Sequence, residues 1–388
     1  MKRFALLTAA LLVAACGGGT SSSASPSNPL AAGAPAYGAI AMDLSTADGT
    51  APTPSEMPVP ALSASDASAA ALTAGDPCHP HLFLRTEEAV HRVNRHLWHA
   101  LRFAALALRG TPVAVGDSAT WDTVGPLIER KLTVNRTGDM TYTWTLEIKL
   151  RASVSFTTIA TGTLDRTGAT TPREGAGTVQ VDLTAIASVT GQEIAGTLDF
   201  DFSSLAGSRR VIADAKDVIW DTDALSPVRA SPRSAHEVFL HELGKGGSLL
   251  VDEDMVFACP ANPDTKSADV QLVARWYRTT GGAVHGRSDA LMTNGQLPDH
   301  SLDHVVGVTC HSLPSEGSSD AVESYWLMKA EDSTGATVVG QSHEANGTDA
   351  SACDGVFGDV PILADDSKDF DFSTIDFTGT TPYPFPGM

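Results

Sequence analysis

The 388-residue sequence predicts a mainly β protein: one amphipathic helix, then antiparallel meander sheet. The sheet is expected either as a half-barrel curled around that helix or as two packed sheets. Three observations carry this expectation. Over residues 86–109, apolar side chains recur at three- and four-residue steps and make a single helical stripe. From residue 112 onward the period becomes two, which describes strands with one wet and one dry face. Turn-rich breaks such as NRTGD, DRTGATTPREGAG and SVTGQE separate these strands by hairpin lengths, so neighbours in sequence should pair with each other.

Taken in order, residues 1–15 read as a secretory leader. Met1-Lys2-Arg3 is basic, and the apolar core from Phe4 to Val13 is roughly a dozen residues, against about 20 for a membrane-spanning helix. The leader closes on Val13-Ala14-Ala15-Cys16, followed by three glycines. This stretch resembles the lipobox of bacterial lipoproteins. There an aliphatic residue and two small residues precede a cysteine that is acylated and becomes the mature terminus. The resemblance implies diacylglycerol and palmitate on Cys16 and attachment to the membrane through those acyl chains. Gly17, where sorting to the inner membrane uses Asp, implies an outer-membrane address, periplasmic or at the cell surface.

Charge narrows the partners. The chain carries 26 Lys and Arg against 46 Asp and Glu, a formal net charge of −20, and loss of Lys2 and Arg3 with the leader would make it more acidic still. Such a surface repels nucleic-acid phosphates, so no nucleic-acid partner is expected. The cysteines beyond Cys16 are Cys78, Cys259, Cys310 and Cys353, an even set without a CxxC spacing. In an oxidising compartment they are disulfide candidates. Three connectivities are open, and the pairing Cys259–Cys310 with Cys78–Cys353 is the working expectation.

Residues 16–77 are rich in Ala, Ser, Pro, Gly and Thr and read as a disordered tether behind the lipidated cysteine. Only the apolar stretch around Tyr37 to Leu44 is a candidate for docking. Residues 78–230 hold the helix and a first β-meander. The helix is expected to start at Thr86, with Glu87 and Glu88 in its first turn, and to stop at Gly110. Its buried stripe is Val90, Val93, Leu97, Leu101, Ala104 and Leu108. In the meander, Tyr142, Trp144, Leu146, Ile148 and Leu150 alternate with Thr143, Thr145, Glu147, Lys149 and Arg151, and the segments around Val179, Val181, Leu183 and Leu198, Phe200, Phe202 repeat the pattern. Residues 231–360 form a second β-rich region, where Val270, Leu272, Ala274 and Trp276 alternate with Gln271 and Arg275. Residues 361–388 read as an acidic extended tail.

The candidates for chemistry are few. HEVFLHE places His236, Glu237 and His241 together, but its histidines are five apart, where zinc proteases place them four apart on a helix. It is similar to the HExxxH of a rare metallopeptidase family resembling dipeptidyl-peptidase III, which also needs a downstream Glu that has no counterpart here. Alternation through Val238 and Leu240 favours a strand over a helix. DHSLDH offers His300 and His304 beside Asp299 and Asp303, and CHPH offers His79 and His81 beside Cys78. His96 and His99 lie one turn apart on the helix. None of these completes a metal site, and no cofactor is expected. Gly286 to Ala290 lacks the second glycine of a nucleophile elbow, and Gly244 to Ser248 lacks the ending of a phosphate loop. No constellation supports an enzyme, though a metal-dependent hydrolase stays open as the least favoured reading.

Against the acidic background, the helix face bearing Arg92, Arg95, His99 and Arg102 is basic. It is the candidate binding face, and an acidic protein partner, a lipid headgroup or the chain's own carboxylates would suit it. The expected function is a non-enzymatic, membrane-anchored lipoprotein of the cell envelope, a binding or structural module. The alternative is a carrier of a lipid or other apolar ligand, because a helix with a curled sheet resembles the half-barrels of periplasmic lipoprotein carriers. Trp144, Phe200 and Phe202 would then line its cavity.

Overall fold

The computed structural model describes residues 28–42, 82–171, 174–205, 207–219, 233–242, 246–257, 266–278, 284–293, 296–297, 300–313, 322–332 and 337–344. The expected leader, Cys16 and the acidic tail 361–388 lie outside these residues.

Three helices are described. A single turn, α1 (Tyr37–Ile40), follows a 3-10 turn at Pro29–Gly33; α2 (Leu82–Ala107) is long, and α3 (Leu183–Thr190) is short. The strands are β1 (Pro112–Val115), β2 (Ser118–Val124), β3 (Ile128–Arg136), β4 (Thr141–Leu150), β5 (Thr157–Asp165) and β6 (Gly175–Asp182). Then come β7 (Ala195–Leu205), β8 (Ser208–Ile219), β9 (Arg233–Glu242), β10 (Gly246–Phe257) and β11 (Lys266–Arg278). Last are β12 (Val284–Thr293), β13 (Gln296–Leu297), β14 (His300–Leu313), β15 (Val322–Asp332) and β16 (Thr337–Glu344).

The described strands pair antiparallel, each with its neighbour in sequence, in one open meander from β1 to β16, with the short β13 pairing only to β14. Local pairing follows from the turns: closing a short hairpin costs far less chain entropy than a long crossover. The two β-rich regions are joined, because β8 pairs with β9 across the Pro-containing break.

Helix α2 touches β2 and β3 at one side of the sheet and β11, β12 and β14 at the other. The sheet therefore curls around the helix, which is the half-barrel alternative of the expected fold. Ala89, Leu97, Ala100, Ala104 and Ala107 of the helix are wholly buried in one apolar cluster with the dry faces of β2 to β12. Cross-strand glycines let that face close up. Trp144 lies over Gly162 and Trp276 over Gly247, each directly opposite in register; a Cβ at Gly162 would come 2.6 Å from the Trp144 ring, and one at Gly247 2.7 Å from Trp276.

Four expectations are corrected. The helix starts a turn earlier than Thr86, whose hydroxyl donates back to the Leu82 carbonyl (2.8 Å) inside the helix instead of capping it. Leu183 opens α3 and does not continue a strand: Asp182 caps it by accepting from the Ala185 N–H (2.7 Å), and left-handed Gly191 (φ 72°) ends it.

The third correction concerns the tether. Residues 28–42 form part of the core, with Leu30 3 % and Ile40 1 % exposed. Asn94 of α2 fixes the segment by accepting from the Met42 N–H (2.8 Å) and donating to the Met42 carbonyl, and the Arg209 guanidinium donates to the carbonyls of Ala41 (2.7 Å) and Gly38 (2.9 Å). Composition hid this because the segment supplies few large apolar side chains and takes its backbone partners from distant residues.

The fourth is the leaning toward Cys259–Cys310. Cys310 is buried in β14 and is disulfide-bonded; Cys78, Cys259 and Cys353 lie outside the described residues. In register, Cys310 stands in one row with Arg287, Arg275 and Ser248. Phe257, the end of β10, is nine residues from that row, about 30 Å at strand rise. Cys259 follows Phe257 by two residues, a reach of only about 7 Å, so that pairing cannot close.

Candidate functional site

The basic helix face is half-buried under the curled sheet. Arg92 reaches across to β10, where its Nη2 donates to both carboxylate oxygens of Glu253 at 2.6 Å, and the Glu253 side chain is 3 % exposed. Arg102 lies over the rings of Phe103 (5.1 Å) and Trp98 (5.5 Å), and Arg130 of β3 faces Phe103 from 5.7 Å. Burial, and then the Arg130 guanidinium, hold the Arg102 guanidinium below its ordinary range.

The histidines of this face are neutral. Burial, then His99 and the neighbouring arginines, push His96 down to about 3; burial, then Arg102 and Arg95, push His99 down to about 4. His99 packs edge-on against Trp98. Of the four residues expected to bind a partner, the structure pairs Arg92 with the chain's own carboxylate and stacks Arg102 on aromatic rings. Arg95 is half-buried and also partnered.

Beside this ion pair sits an acid that the sequence reading valued only as a metal-site base. Glu237 of β9 shares the inner face with Phe239 and is 1 % exposed. Desolvation, and then the Glu253 carboxylate, raise it to about 8, against the opposing pull of Arg92, so it carries its proton at neutral pH. Its Oε2 makes no hydrogen bond. Two acids and one guanidinium thus share a dry site with a single negative charge to match the positive one. Parity alone did not reveal this, because Val238, Phe239 and Leu240 are all apolar and leave open which face of β9 is the inner one.

The metal candidates come apart. A separation of five residues in an extended strand puts His236 and His241 on opposite faces. His236 points outward to Asp214 (Nδ1 to Oδ1, 2.6 Å), while His241 stacks on Phe239 inside. His300 and His304 lie in β14, His79 and His81 outside the described residues, and no group of three metal-ligating side chains occurs among the described residues. Ser288 and Thr309, directly opposite each other on β12 and β14, are fully buried, and their hydroxyls have no hydrogen-bond partner among the described residues.

The outer face of β4 to β8 forms an open trough of about 600 Å³. It is lined by Thr143, Thr145, Thr161, Thr163 and Thr178, then by Gln180, Asp199, Asp201 and Asp214. Thr163 and Thr178 share a hydrogen bond (3.0 Å), Arg210 donates to Asp201 (2.9 Å), and Asp199 stands opposite Asp214. These groups offer many hydrogen bonds, and Trp144, Val179 and Phe200 complete the lining with apolar surface.

No protein-family model, curated protein or solved structure matches this chain.

Proposed function

We propose that the chain is an exported lipoprotein, held to the outer membrane by acyl chains on Cys16, and that its sheet is a non-enzymatic binding or structural module of the cell envelope. One observation favours this over the carrier reading: the interior of the curl is filled by the chain itself. Trp144, Phe200 and Phe202, the side chains a carrier would turn toward its cargo, are 2–3 % exposed. They belong to one apolar cluster with α2 and the segment 28–42. A carrier needs an enclosed cavity of several hundred Å³ with an apolar lining; the trough on β4 to β8 has the volume but lies open on the outer face, where hydroxyls and carboxylates stand beside Trp144, Val179 and Phe200. That lining suits an extended, polyhydroxylated envelope polymer.

Ordering of residues 28–42 also shortens the leash. Eleven residues lie between Cys16 and Asn28, a contour of about 40 Å at most, so the sheet works close to the membrane.

Two measurements test this reading. Cys16→Ser is expected to move the protein from the particulate to the soluble fraction and to abolish incorporation of labelled palmitate; unchanged fractionation and labelling would refute the anchor. Organic extraction of the purified, detergent-exchanged protein is expected to release no lipid beyond the N-terminal acyl chains. One lipid per chain would establish the carrier instead.

A further inference from the structure

The outer face of β8 to β11 behaves unlike the outer face of β4 to β7. Val238, Leu240, Leu250 and Val273 form a second apolar cluster, separate from the core, and are only 1–7 % exposed. They lie on the side of the sheet away from α2: Val238, Leu250 and Val273 share one cross-strand row with Ile212 and Asp289. Among the described residues only Ile212 packs against this cluster as a further apolar side chain. Cys310, disulfide-bonded, lies on the same outer face, in the row that runs through Arg287, Arg275 and Ser248 to Leu240.

We propose that residues 353–363 of this chain cover that face as a strap, pinned at one end by a disulfide between Cys353 and Cys310. Register supplies the argument. Glu344, the last residue of β16, stands opposite Tyr325, which stands opposite Cys310. The chain therefore leaves the sheet in the cysteine's own row, two strand spacings or about 10 Å away. Nine residues on, with a reach of about 30 Å, comes Cys353. Cys259 is out of range, and Cys78 precedes the inner-core residue Leu82 by four residues.

The sequence behind Cys353 fits the surface. Val356, Phe357, Val360, Ile362 and Leu363 follow it closely. Four strand spacings, about 19 Å, separate Cys310 from Val238, and the seven residues from Cys353 to Val360 extend about 23 Å. Charge agrees as well. Residues 345–388 carry eight aspartates and one lysine, and the apolar rows are bordered by Arg275 and Arg287, the latter bonded to Asp289 at 2.7 Å. Closing the bridge releases two protons and two electrons from two thiols to a disulfide-carrying oxidant, which leaves as a dithiol.

Peptide mapping of the full-length protein under non-reducing conditions is expected to yield the Cys310–Cys353 pair. A Cys310 peptide joined to Cys78 or Cys259 would overturn the proposal. A second measurement does not depend on the cysteines. Phe357→p-benzoylphenylalanine in the full chain, on irradiation, is expected to give mainly intrachain adducts mapping to residues 233–257 and 266–278. Adducts to the inner face, to a second copy or to another protein, or no adduct at all, would show that the strap lies elsewhere.

Discussion

The two halves of the sheet present opposite solutions to the same problem. In β3 and β4 the inner face is dry and the outer one wet: Lys131 pairs with Glu147 (2.6 Å) and Lys149 with Glu129 (2.9 Å) directly across the strands. In β9 to β11 both faces are buried, and the outer one carries Val238, Leu250 and Val273 where β4 and β5 carry threonines. Buried carboxylates enter on the inner face of this half, as Glu237 and Glu253. A strand with one wet face can place its charges in water. A strand covered on both sides must neutralise or pair whatever charge it keeps.

The largest expected effect therefore lies in the second half. Arg92→Met leaves Glu253 without its guanidinium beside Glu237, and urea unfolding is expected to show a loss of about 3–5 kcal/mol. The double variant Arg92→Met/Glu253→Met should recover most of that loss, because it removes both ions. Equal losses for the single and double variants would mean that the ion pair is not what matters there.

Matching truncations on the outer face come next. Leu250→Ala is expected to cost about 2–4 kcal/mol, as for a covered apolar side chain, and Thr161→Ala on β5 less than about 0.5 kcal/mol. Similar small costs at both sites would erase the contrast between the halves.

The smallest effect is a pH dependence. Folded Glu237 keeps its proton up to about pH 8, whereas an ordinary Glu releases it near 4.5, so stability falls as pH rises through that window. Glu237→Gln removes the titration. Melting temperature is expected to change little at about pH 5 and to rise by several degrees at about pH 8.5. A variant that melts no higher than the parent at the upper pH would show that Glu237 is ionised without cost.

Alternation made the first half legible. Tyr142, Trp144, Leu146 and Ile148 are buried as their parity requires, because water on the other face leaves a clean period of two; Leu150, the last residue of β4, is 46 % exposed because the strand there runs past the core. The same parity placed HEVFLHE in a strand and so separated His236 from His241. The basic stripe on α2 is half-buried because the sheet curls over it, leaving His91, Ala105 and Arg109 exposed, and nothing local to Arg92, Arg95, His99 and Arg102 reports that cover. Residues 28–42 were missed for a related reason: Asn94 and Arg209, which hold them, are about 50 and 170 residues away.

The sequence by itself determined the elements and their order: where the period is two, where it is near 3.6, and which short turns force neighbours to pair. These are local properties of backbone and side-chain size. Only the tertiary structure decided that the sheet closes around α2, which puts an arginine and two glutamates in the dark. It also decided that an outer patch of β9 to β11, at Val238, Leu240, Leu250 and Val273, is buried. Burial on a second face depends on what arrives from far along the chain, and no window of sequence contains that contact.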